Sequence, residues 1–151
     1  MKIISHRGNI SGPDPELENN PVYITEALDA GFDVEIDVWY TSNGFYLGHD
    51  IPTHNVDQKF LLDKRVWCHA KNLKALHRLM EIGAHCFWHE HDQVTLTNQG
   101  YIWCYPNTKE FNSKSIALCF GADARLPKNC HGICTDHPTK ISKIYDDVGN
   151  R

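Results

Sequence analysis

Glu35 and Asp37 stand two residues apart in "FDVEIDVWY", a run otherwise built of Val, Ile and aromatic residues. Side chains on a strand alternate faces, so Asp33, Glu35 and Asp37 share one face while Val34, Ile36 and Val38 share the other. A surface strand with one wet face would explain a lone E-x-D pair. The company these carboxylates keep points elsewhere. His6-Arg7 follows the first apolar run, His69 and Lys71 end the third, and the run after the "TSNG" turn ends in His49-Asp50. Two carboxylates suit a hard divalent cation. Two histidines suit proton transfer, because an unperturbed imidazole titrates at about 6.5. Arg with Lys suits anionic oxygens. Together these are the working parts of phosphoryl-transfer chemistry.

The surrounding elements have to bring these groups together. "KIIS" reads as a strand, and residues 9–19 as a loop rich in Pro, Gly and Asn. "NPVYITEALDAG" predicts a helix with Asn20 as N-cap, Pro21 in its first turn and Gly31 as terminator. "FDVEIDVWY" predicts a strand, "TSNG" a turn and "FYLGHD" the returning strand. Residues 51–64 read as irregular, "RVWCHAK" as the next strand, and "NLKALHRLMEIG" as a helix with Leu73, Leu76, Leu79 and Met80 on its core face. Short strands are then expected in "HCFWHE", "VTLT", "GYIWCYP", "SIALCFG" and "GICTD", with a terminal helix in "PTKISKIYDD". Alternating strands and helices in the first half predict βαβ units and a parallel sheet, whose C-terminal strand ends form one ligand-binding rim. A closed (β/α)₈ barrel usually takes about 250 residues. The expected α/β fold is therefore a compact TIM-barrel-like barrel with several outer helices missing, formed as a single domain over residues 1–151.

With 41% hydrophobic and 23% charged residues the chain is neither disordered nor fibrous. A net charge of −4 gives no nucleic-acid footprint, and no apolar stretch approaches a membrane span. "MKIISHRGN" is too short for a signal-peptide core, so the cytoplasm is the expected compartment. Cys68, Cys86, Cys104 and Cys119 lie in apolar runs and read, like Cys130 and Cys134, as free thiols. Cys130, His131 and Cys134 in "CHGIC" lack the second ligand pair of a zinc site.

Taken in order, "HRG", "ENN" before a helix, "GFDVEIDV" and a hairpin ending "LGHD" resemble the glycerophosphodiester phosphodiesterase family. "GICTDHP" resembles that family's closing G-I-x-T-D-x-P segment, and "YIWCYP" its Trp-bearing strand. The resemblance runs from His6 to Pro138. It implies a TIM-barrel-like phosphodiesterase with one divalent cation, Mg²⁺ or Ca²⁺. It also implies His6 and His49 as catalytic residues, Glu35 and Asp37 as metal ligands, and Arg7 and Lys71 as phosphate contacts. Glu18 and Asn19 would support the site, with Trp103 walling it. Where the family has a third acidic ligand, this chain has His69, which would suit Mn²⁺ or Zn²⁺; Glu90 is the alternative ligand. The PEN proline is also absent, "PELEN" standing in its place.

The expected reaction is hydrolysis of a small glycerophosphodiester, one histidine taking the nucleophile's proton and the other protonating the leaving alkoxide. A phospholipase-type enzyme acting on lysolipids or envelope glycerophosphate polymers, or a non-catalytic binding domain on the same barrel, are the rival readings. Asp50 is expected to orient His49 or cap a turn, and Asp136 to cap the last helix. His89 and His91 are expected as ordinary hydrogen-bonded histidines, and His77 as a surface residue.

Overall fold

The computed structural model describes residues 1–121 and 127–149; the expected domain bounds of 1–151 also take in residues 122–126 and 150–151, which lie outside them. β1 (Lys2–His6) leads through a loop to helix α1 (Pro21–Asp29) and back to β2 (Asp33–Thr41), which lies parallel to β1. Asn20 caps α1 by accepting from the Val22 N–H at 2.9 Å. β2 turns into β3 (Gly44–Leu47), antiparallel to it, and β3 pairs in turn with β4 (His54–Val56). Residues 51–64 are thus more ordered than their sequence suggests. β4 is too short to show alternation, and a 3-10 turn over Gln58–Leu62 is capped by Asp57.

β5 (Val66–Ala70) returns parallel to β2, and α2 (Leu73–Ile82) crosses to β6 (Cys86–Trp88). β7 (Val94–Leu96) forms a hairpin with β8 (Ile102–Cys104), followed by β9 (Ser115–Leu118), β10 (Gly132–Thr135) and α3 (Pro138–Gly149). The parallel strands run β6-β5-β2-β1-β10-β9-β8 around a curled sheet. Among the described residues no ladder joins β6 to β8. Asn98 closes that seam instead: its Oδ1 accepts from Cys86 N at 2.9 Å and its Nδ2 donates to the Ala84 carbonyl at 2.8 Å. Inside the seam the Phe87 and Trp103 rings stack at 4.7 Å. Among the described residues no helix follows β8 or β9. The fold is the helix-poor, TIM-barrel-like α/β barrel that the chain length implies.

The two faces of β2 divide the molecule. Val34, Ile36 and Val38 point outward and are buried against Ile24, Ala27 and Leu28 of α1 and Ala75 and Leu79 of α2. The inward face is layered. Asp33 lies at one end, accepting from Lys2 Nζ and Trp67 Nε1, each at 2.8 Å. Ile4, Trp67, Phe87, Trp103, Ile116 and Cys134 fill the middle, and Glu35 and Asp37 reach the other end. All six cysteines are free, and Cys134 is core.

α2 buries Ala75 and Leu79, whereas Leu73 and Met80, expected on its core face, are more than half exposed. The buried stripe is centred on the 75/79 row, and Leu73 and Met80 fall on the opposite side of the helix. Leu79→Ala should cost about 2–5 kcal/mol in urea unfolding. Leu73→Ala should stay within about 0.5 kcal/mol. Equal losses would contradict this assignment of faces.

Candidate active site

Strand register assembles the mouth of the barrel. His6 pairs with Glu35 across β1 and β2, and Asp37 pairs with His69 across β2 and β5, so these four side chains lie on adjacent strands facing inward. The chain then turns sharply. Arg7 and Gly8 have φ of 55° and 92°, and a Cβ at residue 8 would meet Tyr23 Cδ1 at 3.0 Å, so glycine is required there. The turn sends the Arg7 guanidinium to Glu18 at 3.0 Å and to Asp37 at 2.9 Å. Asn19, itself at φ 62°, brackets Asp37: its Nδ2 donates to Asp37 Oδ2 and its Oδ1 accepts from Asp37 N, each at 2.9 Å. Lys71 Nζ adds a second cationic contact, 3.5 Å from Asp37 Oδ1.

Both carboxylates are buried, so the wet-face explanation of the E-x-D pair does not hold. Burial alone would raise Asp37, but His69, Arg7 and Lys71 beside it together hold it well below the ordinary carboxylate range. Glu35 is raised, by burial first and by the Asp37 charge second, with His6, His69 and Arg7 offsetting only part. Glu35 Oε2 and Asp37 Oδ1 have no hydrogen-bond partner. Leaving such buried acceptors unpaired costs about 1–3 kcal/mol each or more, which is tolerated where a ligand completes the site.

His69 completes the donor set. Its Nε2 lies 3.1 Å from the His89 carbonyl, which can only accept, so Nε2 carries the proton. Its Nδ1 faces Asp37 Oδ1 at 3.2 Å and Glu35 Oε1 at 3.7 Å. One ligand atom from each of Glu35, Asp37 and His69 lies within 4.8 Å of the others. Three electron-pair donors aimed at one small volume, two with unpaired oxygens, fit a divalent cation; a proton on Nδ1 relieves the same repulsion without one. Glu90 is exposed on the rim and takes no part in the cluster.

His6 and His49 are held differently. His6 Nδ1 donates to Asp136 Oδ1 at 2.7 Å, which leaves Nε2 facing the mouth, 3.9 Å from Glu35 Oε2. Burial lowers the His6 pKa, but the Asp136 hydrogen bond and the Glu35 charge outweigh it, and the net shift is upward. Asp136, though buried, is lowered in return by that hydrogen bond. Asp136 therefore does not cap α3. Thr135 Oγ1 takes the His137 N–H at 3.1 Å, and the alternation of β10 points Cys134 and Asp136 inward. That alternation, visible in "GICTD", was the signal for its role.

His49 sits on the loop after β3, with Nδ1 donating to Asp50 Oδ1 at 2.7 Å, and borders the same cavity of about 520 Å³. Its side chain is 45% exposed against 15% for His6. The loop is fixed at Gly48, whose φ is 149° and whose Cβ, if present, would lie 2.1 Å from the Ile51 carbonyl. Trp103 lies beneath the cavity, 2% exposed. His91 lines the rim and His77 is a surface residue. His89 departs from expectation: it is 6% exposed, edge-on to Tyr105 at 3.8 Å, and neither ring nitrogen has a hydrogen-bond partner.

The Glu35 shift has a consequence for stability. Above pH 4.5, its ordinary value, the unfolded chain releases this proton before the folded protein does, so stability falls as pH rises toward the folded value. Glu35→Gln cannot ionise. It should raise the thermal midpoint of the cation-free protein at pH 7, while added Mn²⁺ or Ca²⁺ should no longer raise it. A lowered midpoint, or a retained response to metal, would contradict this account.

No family model matches the chain, and no curated protein matches it. Among solved structures the chain is similar to the crystal structure of glycerophosphodiester phosphodiesterase from Agrobacterium tumefaciens str. C58, with a TM-score of 0.56 and 14% identity over 97% of this chain and 99% of that one. Across nearly its whole length, then, the chain has the barrel fold of that phosphodiesterase.

Proposed function

We propose that the protein is a divalent-cation-dependent phosphodiesterase acting on a small glycerophosphodiester. The observation that carries this reading is the meeting, at one barrel mouth, of the Glu35–Asp37–His69 cluster with the His6–Asp136 pair, 3.9 Å apart from His6 Nε2 to Glu35 Oε2. The fold likeness to a glycerophosphodiester phosphodiesterase supports the same substrate class. Held by Glu35, Asp37 and His69, a divalent cation supplies positive charge to offset what develops on the phosphoryl oxygens. The resemblance implies Mg²⁺ or Ca²⁺; an imidazole in the third position favours Mn²⁺ or Zn²⁺.

The chain's own groups do the rest. Arg7 and Lys71, already converging on Asp37, orient the phosphodiester and neutralise its charge. One of His6 and His49 takes the proton of the attacking oxygen, from water or from a substrate hydroxyl that closes to a cyclic phosphate. The other gives a proton to the departing alkoxide. Asp136 holds the His6 Nδ1–H, which leaves Nε2 free to exchange that proton, and Asp50 does the same for His49. A cavity of about 520 Å³ admits a small diester.

The test is hydrolysis of bis-p-nitrophenyl phosphate and glycerophosphocholine after stripping with EDTA, with Mg²⁺, Ca²⁺, Mn²⁺ or Zn²⁺ restored singly. Turnover should return with metal and vanish in Glu35→Ala. His6→Ala and His49→Ala should each lower kcat by about 10²–10⁴-fold. His69→Asp should move the best metal toward Mg²⁺ or Ca²⁺. Near-normal rates in either histidine variant would remove that assignment. No turnover and no metal binding would leave a binding domain on the same barrel.

A further inference from the structure

Asn9 lies three residues beyond His6 and is fully buried. The left-handed turn at Arg7 and Gly8 folds the chain back, the Asn9 N–H donating to the His6 carbonyl at 3.0 Å. Its amide makes three hydrogen bonds. Nδ2 donates to Asp136 Oδ1 at 2.8 Å and to Glu18 Oε1 at 2.9 Å, while Oδ1 accepts from Asp14 N at 3.0 Å. The orientation of the amide is forced, since two carboxylates can only accept and a backbone N–H can only donate. Asp136 Oδ1 is the same atom that takes the His6 Nδ1–H, and the other oxygen of Glu18 takes Arg7. One amide therefore stands between the carboxylate that orients the imidazole and the carboxylate that orients the guanidinium.

We propose that Asn9 is a positioning residue for His6, its amide N–H fixing the Asp136 carboxylate so that His6 keeps its proton on Nδ1 and presents Nε2 to the mouth. The inference rests on the phosphodiesterase reading for its catalytic meaning. Its structural content does not depend on that reading. The residue type follows from the geometry. Two carboxylates approach a single point, and an Asn amide offers each of them one N–H while its carbonyl secures the loop. A shorter hydroxyl has one proton to give. An aspartate would put a third set of lone pairs there, repelling Asp136 away from His6.

The deciding experiment is ¹⁵N NMR of the His6 ring in the full chain, with kinetics on bis-p-nitrophenyl phosphate alongside. In the parent protein, neutral His6 should be the Nδ1–H tautomer with a low-field Nδ1 proton. In Asn9→Ala that proton signal should weaken, the tautomers should mix, and kcat should fall by about 10²-fold with KM changed by less than about threefold. Asn9→Ser, which keeps one donor, should fall between the two. It also serves if the alanine variant does not fold. A folded Asn9→Ala or Asn9→Ser protein whose His6 retains the parent tautomer and signal would overturn the proposal, whatever its rate. If the parent protein has no turnover but the tautomer still depends on Asn9, the phosphodiesterase reading fails and the positioning role stands. Parent turnover with an unmoved His6 spectrum is the reverse.

Discussion

Two like charges buried two residues apart set the terms for the rest of this molecule. A lone carboxylate in a protein interior is prohibitively costly, and two together are worse. The cost is met unequally. Asp37 is surrounded by Arg7, Lys71, His69 and the Asn19 amide, which reaches both its side chain and its backbone. It stays ionised. Glu35 lies on the inner side of the pair, with His6 and His69 at longer range, and its charge is the less supported. Pushing the two carboxyls apart in this way gives one anchored charge and one responsive to what enters the mouth, a usual arrangement in sites that bind cations or move protons. The left-handed residues Arg7 and Asn19 are also explained by it, since both place donors on Asp37.

β2 is where fold and chemistry share a strand. Its outward face supplies Val34, Ile36 and Val38 to the layer beneath the helices, and its inward face supplies the carboxylates. A slip of one residue against β1 or β5 would exchange the two faces, burying three acids under α1 and α2 and removing Glu35 and Asp37 from the mouth. The register is therefore held twice, by apolar packing on one side and by the ion pairs on the other.

How much of this could be read from the sequence follows from range. The strand alternation of residues 33–38, the capping of α1 and α2 and the hairpin at 41–44 are local, and the structure has them as expected. His6, Arg7, Glu35, Asp37, His69 and Lys71 do converge, because each lies at or beside the C-terminal end of a parallel strand pairing and those ends share a rim. What was hidden depends on partners far along the chain. Asp136 meets His6 across 130 residues: the alternation in "GICTD" says which way it points, but nothing local says which residue it meets. β4 exists only as a partner of β3. Leu73 and Met80 are periodic enough to look like core, but which stripe of α2 is buried is decided by where β2 and β5 lie. His89 falls in the same class, since its lack of partners is a property of the assembled mouth.

The surviving helices are not scattered around the barrel. α1 packs on β2, α2 on β2, β5 and β6, and α3 on β1, so among the described residues every helix braces a strand at or beside the carboxylate cluster. The opposite arc, β8 to β10, has short strands, and among the described residues its inward face contributes mostly apolar filling such as Trp103, Ile116 and Leu118, with Asp136 reaching His6. This distribution follows from what each arc must resist. Strand β2, between β1 and β5, carries unpaired buried oxygens and closely spaced like charges, whose repulsion would spread a thin sheet, and apolar layers behind it oppose that spread. Among the described residues the far arc holds no comparable buried charge, and side-chain closures of the Asn98 and Phe87–Trp103 kind join it to β6. Among the described residues, the outer helices stand behind the strands whose inner face carries the buried charges.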